Sequence, residues 1–161
     1  MVKSSLRKLR LLILALTLGA PLAHAQIDVH QVLSIGRNAI YFNDYIVSMG
    51  YFNQVIGLRP WMAEPYFYRS VAKINLEDYR GAEADATLAL ERNPFLSKAY
   101  LVRGIARFSQ KEYEAAIGDF RQGLSLSPSD VGLRYNLAIA QLEGLEGTGG
   151  GAGGDGGASG G

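Results

Sequence analysis

Few residues of this chain could carry out a reaction, and their placement argues against one. Cysteine is absent, which removes a thiol nucleophile, a thiolate metal site, disulfide staples and a thioether-linked lipid. Of the two histidines, His24 lies in a segment whose removal is predicted below, and His30 alone cannot build a two-histidine metal centre. No serine elbow, phosphate-cradling glycine loop or carboxylate cluster is present. Glu77 and Asp78 are adjacent, but they fall between two helical patterns, where they read as a solvated helix start rather than an acid/base pair. What the charged residues can do is pair with one another. Arg69 precedes Asp85 by 16 residues, and Arg103 precedes Asp119 by the same 16. The duplicated spacing predicts an ion pair inside each of two similar units in preference to a pair of ligand anchors. The expectation is a non-enzyme that takes no cofactor and no metal.

The duplication extends to the elements that must hold these residues. Residues 63–96 and 97–130 align as near-copies: Tyr66 falls on Tyr100, Arg69 on Arg103, Tyr79 on Tyr113, Ala82 on Ala116 and Pro94 on Pro128, a period of 34. One step further back reaches Pro60 and Tyr45, which marks a third copy over residues 29–62. A fixed period of this length is the signature of a stacked array. In the first copy Val32, Leu33, Ile35, Gly36, Ala39 and Ile40 recur at helical spacing, and Tyr45, Val47, Phe52, Val55 and Ile56 follow in a second run. Each copy therefore predicts two amphipathic helices closed by a proline, because a helix tends to stop before the residue that precedes proline. Val131 to Leu142 predicts one further helix, over about 131–143, that closes the array.

Residues 29–130 resemble three tandem tetratricopeptide repeats. The residues that carry the likeness are Gly36, Phe52 and Pro60 in the first copy, Tyr66, Ala82, Ala89 and Pro94 in the second, and Tyr100, Gly104, Ala116, Phe120 and Pro128 in the third. The resemblance implies an all-α solenoid of tandem helical hairpins, a right-handed superhelix occupying about residues 26–145. Three positions depart from the pattern: Ser48 for alanine, Ala86 for an aromatic and Gly123 for alanine. The last carries a helix-propensity cost of about 1 kcal/mol. These departures place the weakest packing in the first hairpin and near Gly123.

In this family the first helices of successive repeats line a concave groove that binds a segment of another protein. The resemblance places Leu33, Arg37 and Ile40 of the first repeat there, then Phe67, Tyr68, Val71 and Asn75, then Lys98, Leu101, Val102, Ile105 and Phe108. A competing reading packs Phe67, Leu101 and Phe108 between helices. The family's clamp of lysine, asparagine and arginine for a terminal carboxylate is matched only at Lys98, with Leu33, Arg37, Tyr68 and Val102 at other clamp places, so that clamp is not expected. Trp61-Met62 and Phe95-Leu96 follow the prolines of two successive copies. They read either as a second contact strip or as plugs between consecutive hairpins.

The two ends of the chain differ from the repeats. Lys3, Arg7, Lys8 and Arg10 precede the apolar run Leu11 to Leu18, and Ala23-His24-Ala25 offers a cleavage site before Gln26, so residues 1–25 predict a secretory signal peptide. The apolar run is well short of the roughly 20 residues that span a bilayer. Without these residues the chain carries twelve basic and fifteen acidic side chains, net −3. With no basic cluster, neither nucleic acid nor an anionic membrane is an expected partner. Residues 147–161 hold ten glycines in fifteen and predict a disordered tail, within 146–161, that is either a tether or the start of a longer chain. The function expected is an exported adaptor or scaffold for a protein or peptide segment, periplasmic in a Gram-negative cell and otherwise secreted. The alternatives are a structural spacer, self-associating through the closing helix around Leu133, Leu137 and Ala140, and an accessory subunit of a cell-envelope assembly.

Overall fold

The computed structural model describes residues 28–149; the predicted signal peptide and residues 150–161 of the glycine-rich tail lie outside the described residues. Among the described residues seven helices follow one another: α1 (Val29–Tyr41), α2 (Tyr45–Leu58), α3 (Glu64–Asn75), α4 (Tyr79–Arg92), α5 (Ser97–Ser109), α6 (Tyr113–Leu126) and α7 (Val131–Gly149). Their boundaries recur because the residues that cut them recur. Arg59, Asn93 and Ser127 end α2, α4 and α6 out of helical geometry, and each stands immediately before a proline. The turns inside the hairpins each spend one residue in the left-handed region, Asn43 (φ 61°), Glu77 (φ 60°) and Lys111 (φ 66°). Asp28, Asp78 and Asp130 accept backbone N–H bonds at the starts of α1, α4 and α7, satisfying donors that have no intrahelical partner. Among the described residues the fold is an all-α solenoid of three hairpins and a closing helix, each hairpin packed on the next.

The core repeats a trade of volume between paired helices. In the first hairpin Gly36 faces Phe52, and an added Cβ would lie 2.6 Å from the ring. In the third, Gly104 faces Phe120 in the same way. In the second, both partners change together: Ser70 replaces the glycine and Ala86 replaces the ring, and both are buried. The Ser70 hydroxyl is satisfied by the carbonyl of Phe67 at 2.6 Å, as the buried Ser48 hydroxyl is by Tyr45 at 2.7 Å. Ala86 is thus half of a compensated pair, and it leaves the second hairpin closed.

Gly123 also differs from the sequence expectation. A Cβ there would lie 2.7 Å from the Leu133 side chain, which is fully buried. The missing side chain is the seat of α7, so this junction is close-packed. The closing helix runs to Gly149, beyond the expected end near 143. Gly144 lies against Tyr113 and Ile117, so packing on α6 continues past that point, and no proline follows to stop the helix.

The two predicted ion pairs form, and each is part of a larger tie. Asp85 and Asp119 are buried, which requires paired and hydrogen-bonded charges. Arg69 donates to Asp85 at 2.7 Å and to Asn53 of the preceding hairpin at 2.6 Å, and Lys73 approaches Asp85 at 2.8 Å. Arg103 donates to Asp119 at 2.7 Å, and Arg107 joins that carboxylate at 2.9 Å. The first hairpin has no counterpart, since Ile35 and Tyr51 occupy the corresponding places.

Candidate protein-binding cleft

The concave side divides into an open part and a closed part. The open part is a cleft of about 590 Å³ between α1, α3 and the start of α5, lined by Ser34, Arg37, Asn38, Ile40, Tyr41, Phe67, Tyr68, Val71 and Lys98. Its floor is aromatic. Phe52 and Tyr68 stack with centroids 5.8 Å apart, Phe67 lies tilted against Tyr68 at 5.0 Å, and the Arg37 guanidinium sits 5.3 Å above the Tyr68 ring. That last contact places the cation over an apolar surface without neutralising it. Arg37 and Lys98 are exposed, and among the described residues no carboxylate lines the cleft. The site therefore combines an apolar floor with positive charge, the chemistry that accepts an acidic segment carrying an apolar anchor.

Of the residues placed on the groove by resemblance, Arg37, Ile40, Phe67, Tyr68, Val71 and Lys98 meet here. The others do not. Leu33 and Val102 are buried in the hairpin cores, Leu33 with Phe52 and Val102 with Phe67, and they offer a partner almost no surface. Phe67 reaches the cleft only as its floor, being 9% exposed. Leu101, Ile105 and Phe108 pack against the cluster of Phe120, Leu133 and Ala140, on α6 and α7. Asn75 is exposed but turns its amide back to the Val71 carbonyl at 2.8 Å and does not line the cleft. Sequence reasoning missed Ser34, Asn38 and Tyr41. They follow Leu33, Arg37 and Ile40 respectively by one position, and all three are exposed on α1.

The residues after the prolines split between the two readings given for them. Met62 and Leu96 are half-buried and plug the junctions between hairpins, packed against the first and second core clusters. Trp61 and Phe95 face solvent, 65% and 78% exposed.

Behind the cleft, a polar tie joins the second and third hairpins. Arg107 donates to Glu83 at 2.8 Å, and Gln110 donates to the same carboxylate at 2.9 Å. Burial pushes the Glu83 carboxyl up, but the hydrogen bonds from Arg107 and Gln110 outweigh it and hold the group below its usual range. Burial likewise lowers the Arg107 guanidinium, while Glu83 and Asp119 raise it further. The Arg69 guanidinium is raised chiefly by its hydrogen bond to Asp85. No helix among the described residues is long and apolar enough to cross a membrane.

No family model matches the chain, and no curated protein sequence matches it. Solved structures do. The Sgt2 tetratricopeptide-repeat domain from Aspergillus fumigatus superposes with a TM-score of 0.75 at 20% identity, over 83% of this chain and 90% of that one. The Arabidopsis OM64 tetratricopeptide-repeat domain gives 0.69 at 27% identity, over 71% and 94%. The first such domain of Spaghetti (RPAP3), bound to the HSP90 peptide SRMEEVD, gives 0.71 at 23% identity, over 73% and 93%. The trade of glycine against phenylalanine, the prolines at a period of 34 and these superpositions agree: the chain has the fold of tetratricopeptide-repeat domains.

Proposed function

We propose that this protein is an exported interaction adaptor that holds an acidic segment of a partner protein in the cleft between α1, α3 and the start of α5. The observation that carries the reading is the lining itself: an aromatic floor with Arg37 and Lys98 at its edges and, among the described residues, no carboxylate. Opposite charges on the incoming segment steer it to the cleft, and Ile40, Tyr41, Tyr68 and Val71 supply apolar contact. The acidic peptide held by the Spaghetti domain supports the class of ligand. The mode differs, because Leu33 and Val102 bring buried aliphatic side chains to places where a carboxylate clamp needs polar ones. The basic head, apolar run and small-residue site at the amino terminus support export.

The reading is tested by photo-crosslinking in the native host from a residue in place of Tyr68, with the exposed Glu114 of α6 as the control position. The expected result is a discrete adduct from position 68 alone that disappears when Arg37 and Lys98 are both changed to Glu. An adduct that persists in the charge-reversed protein, or none from position 68, contradicts the reading.

A further inference from the structure

The closing helix α7 is apolar on two faces. One carries Leu133, Leu137 and Ala140 and packs on α5 and α6, so these residues are not available for association. The other carries Val131 (75% exposed), Tyr135 (66%), Leu142 (60%) and Leu145 (70%), with the exposed Ala138 between them. Single exposed apolar residues are ordinary, but a continuous row along one helix marks an interaction surface. The steps between these positions alternate four and three residues. That mean of about 3.5 is the seam of a two-helix coiled coil. Residues 150–161 contain only Gly, Ala, Asp and Ser, so they bring no large apolar side chain to cover the seam.

Charge selects the occupant and its direction. Arg134 is exposed near the start of α7 and donates to the neutral Pro128 carbonyl at 2.9 Å. Glu143 is exposed near the end, and among the described residues neither takes part in an ion pair. The helix is thus positive at one end, negative at the other and apolar between.

We propose that two copies of the chain pair through this seam, α7 running antiparallel to α7 about a two-fold axis near Ala138. In that arrangement Val131 of each copy lies toward Leu145 of the other, Tyr135 toward Leu142, and Arg134 toward Glu143, twice by symmetry. The small Ala138 at the crossing lets the backbones approach. A parallel pairing would set Arg134 beside Arg134 and Glu143 beside Glu143. The seam is on α7 and the cleft on α1, α3 and α5, so the pair presents two clefts and does not depend on what they bind.

Sedimentation equilibrium of the purified chain across a wide concentration range tests the pairing. The expected result is a reversible monomer–dimer equilibrium that stops at two. Leu142→Glu, at an exposed position, is expected to give a monomer with unchanged helicity and thermal unfolding. Arg134→Glu is expected to weaken the dimer about tenfold, by placing like charges together twice, and Arg134→Glu with Glu143→Arg to restore it. A wild-type chain that stays monomeric, association that grows beyond two, or a dimer undiminished by Leu142→Glu overturns the proposal. A dimer unaffected by Arg134→Glu overturns the antiparallel arrangement.

Discussion

The first and third repeats place the same positions on the same side of the solenoid and use them differently. Along one row Ser34 is exposed, Tyr68 is half-buried and Val102 is buried; along the next, Arg37 is exposed and Val71 and Ile105 are half-buried. The amino-terminal half is thus open, with exposed polar side chains over an aromatic floor, and the carboxy-terminal half is aliphatic and closed by α7. Repeat position decides which way a side chain points. Whether it can meet a partner is decided by what packs on it: Leu101, Ile105 and Phe108 of the third repeat are taken up by the cluster of α6 and α7, whereas Ser34 and Arg37 of the first stay exposed. The half that stays exposed carries the cleft.

The contrast breaks most severely if α7 is loosened. Leu133 is fully buried against Gly123 and Phe120, so Leu133→Ala is expected to cost about 2–5 kcal/mol in denaturant unfolding. Hydrogen exchange should quicken in α7 and in the α5 turns carrying Leu101 and Ile105, while α1 and α2 stay protected. The open half is broken by charge. Arg37→Glu with Lys98→Glu is expected to weaken binding of an acidic segment about a hundredfold by calorimetry. Stability should move by no more than about 0.5 kcal/mol, since both side chains are exposed.

Smaller changes sharpen the same contrast. Gly123→Ala gains helix propensity but drives a methyl into Leu133, and a net loss of about 1 kcal/mol is expected where propensity alone predicts a gain. Glu77→Gly relieves a left-handed backbone at φ 60° and is expected to stabilise by about 1 kcal/mol, measured by thermal unfolding. The smallest effect is on pH dependence. Glu83 is held below its usual range in the folded chain, so its contribution is complete above the unfolded value of about 4.3 and is lost as pH falls through the lower folded value. Glu83→Gln is therefore expected to remove a small part of the acid destabilisation, with the two proteins' stabilities converging at low pH. The effect is modest because the side chain retains contact with solvent.

The hairpins were legible because their punctuation is local. Pro60, Pro94 and Pro128 end helices through their own stereochemistry, and a spacing of 16 residues carries Arg69 to Asp85 and Arg103 to Asp119 across each turn. The compensation of Ser70 by Ala86, and the service of Gly123 to Leu133, were not legible, because each residue seems a defect until its partner on another helix is known. The cleft was half legible. Arg37, Tyr68, Val71 and Lys98 came from repeat position, whereas Asn38 shares its position with the buried Ala72 and Ala106, and Tyr41 with Asn75, none of which lines the cleft. Trp61 and Met62 show the same limit within one dipeptide, since one faces solvent and the other the core.

Amide chemical-shift mapping tests the open cleft most directly. The chain would be titrated with a pool of Glu-rich peptides that each carry one apolar residue, and separately with the same pool bearing Gln for Glu. The account predicts shifts at Ser34 to Tyr41, Phe67 to Val71 and Lys98 with the acidic pool, and none with the neutral one. Equal shifts from both pools, or shifts confined to α5, α6 and α7, would contradict it.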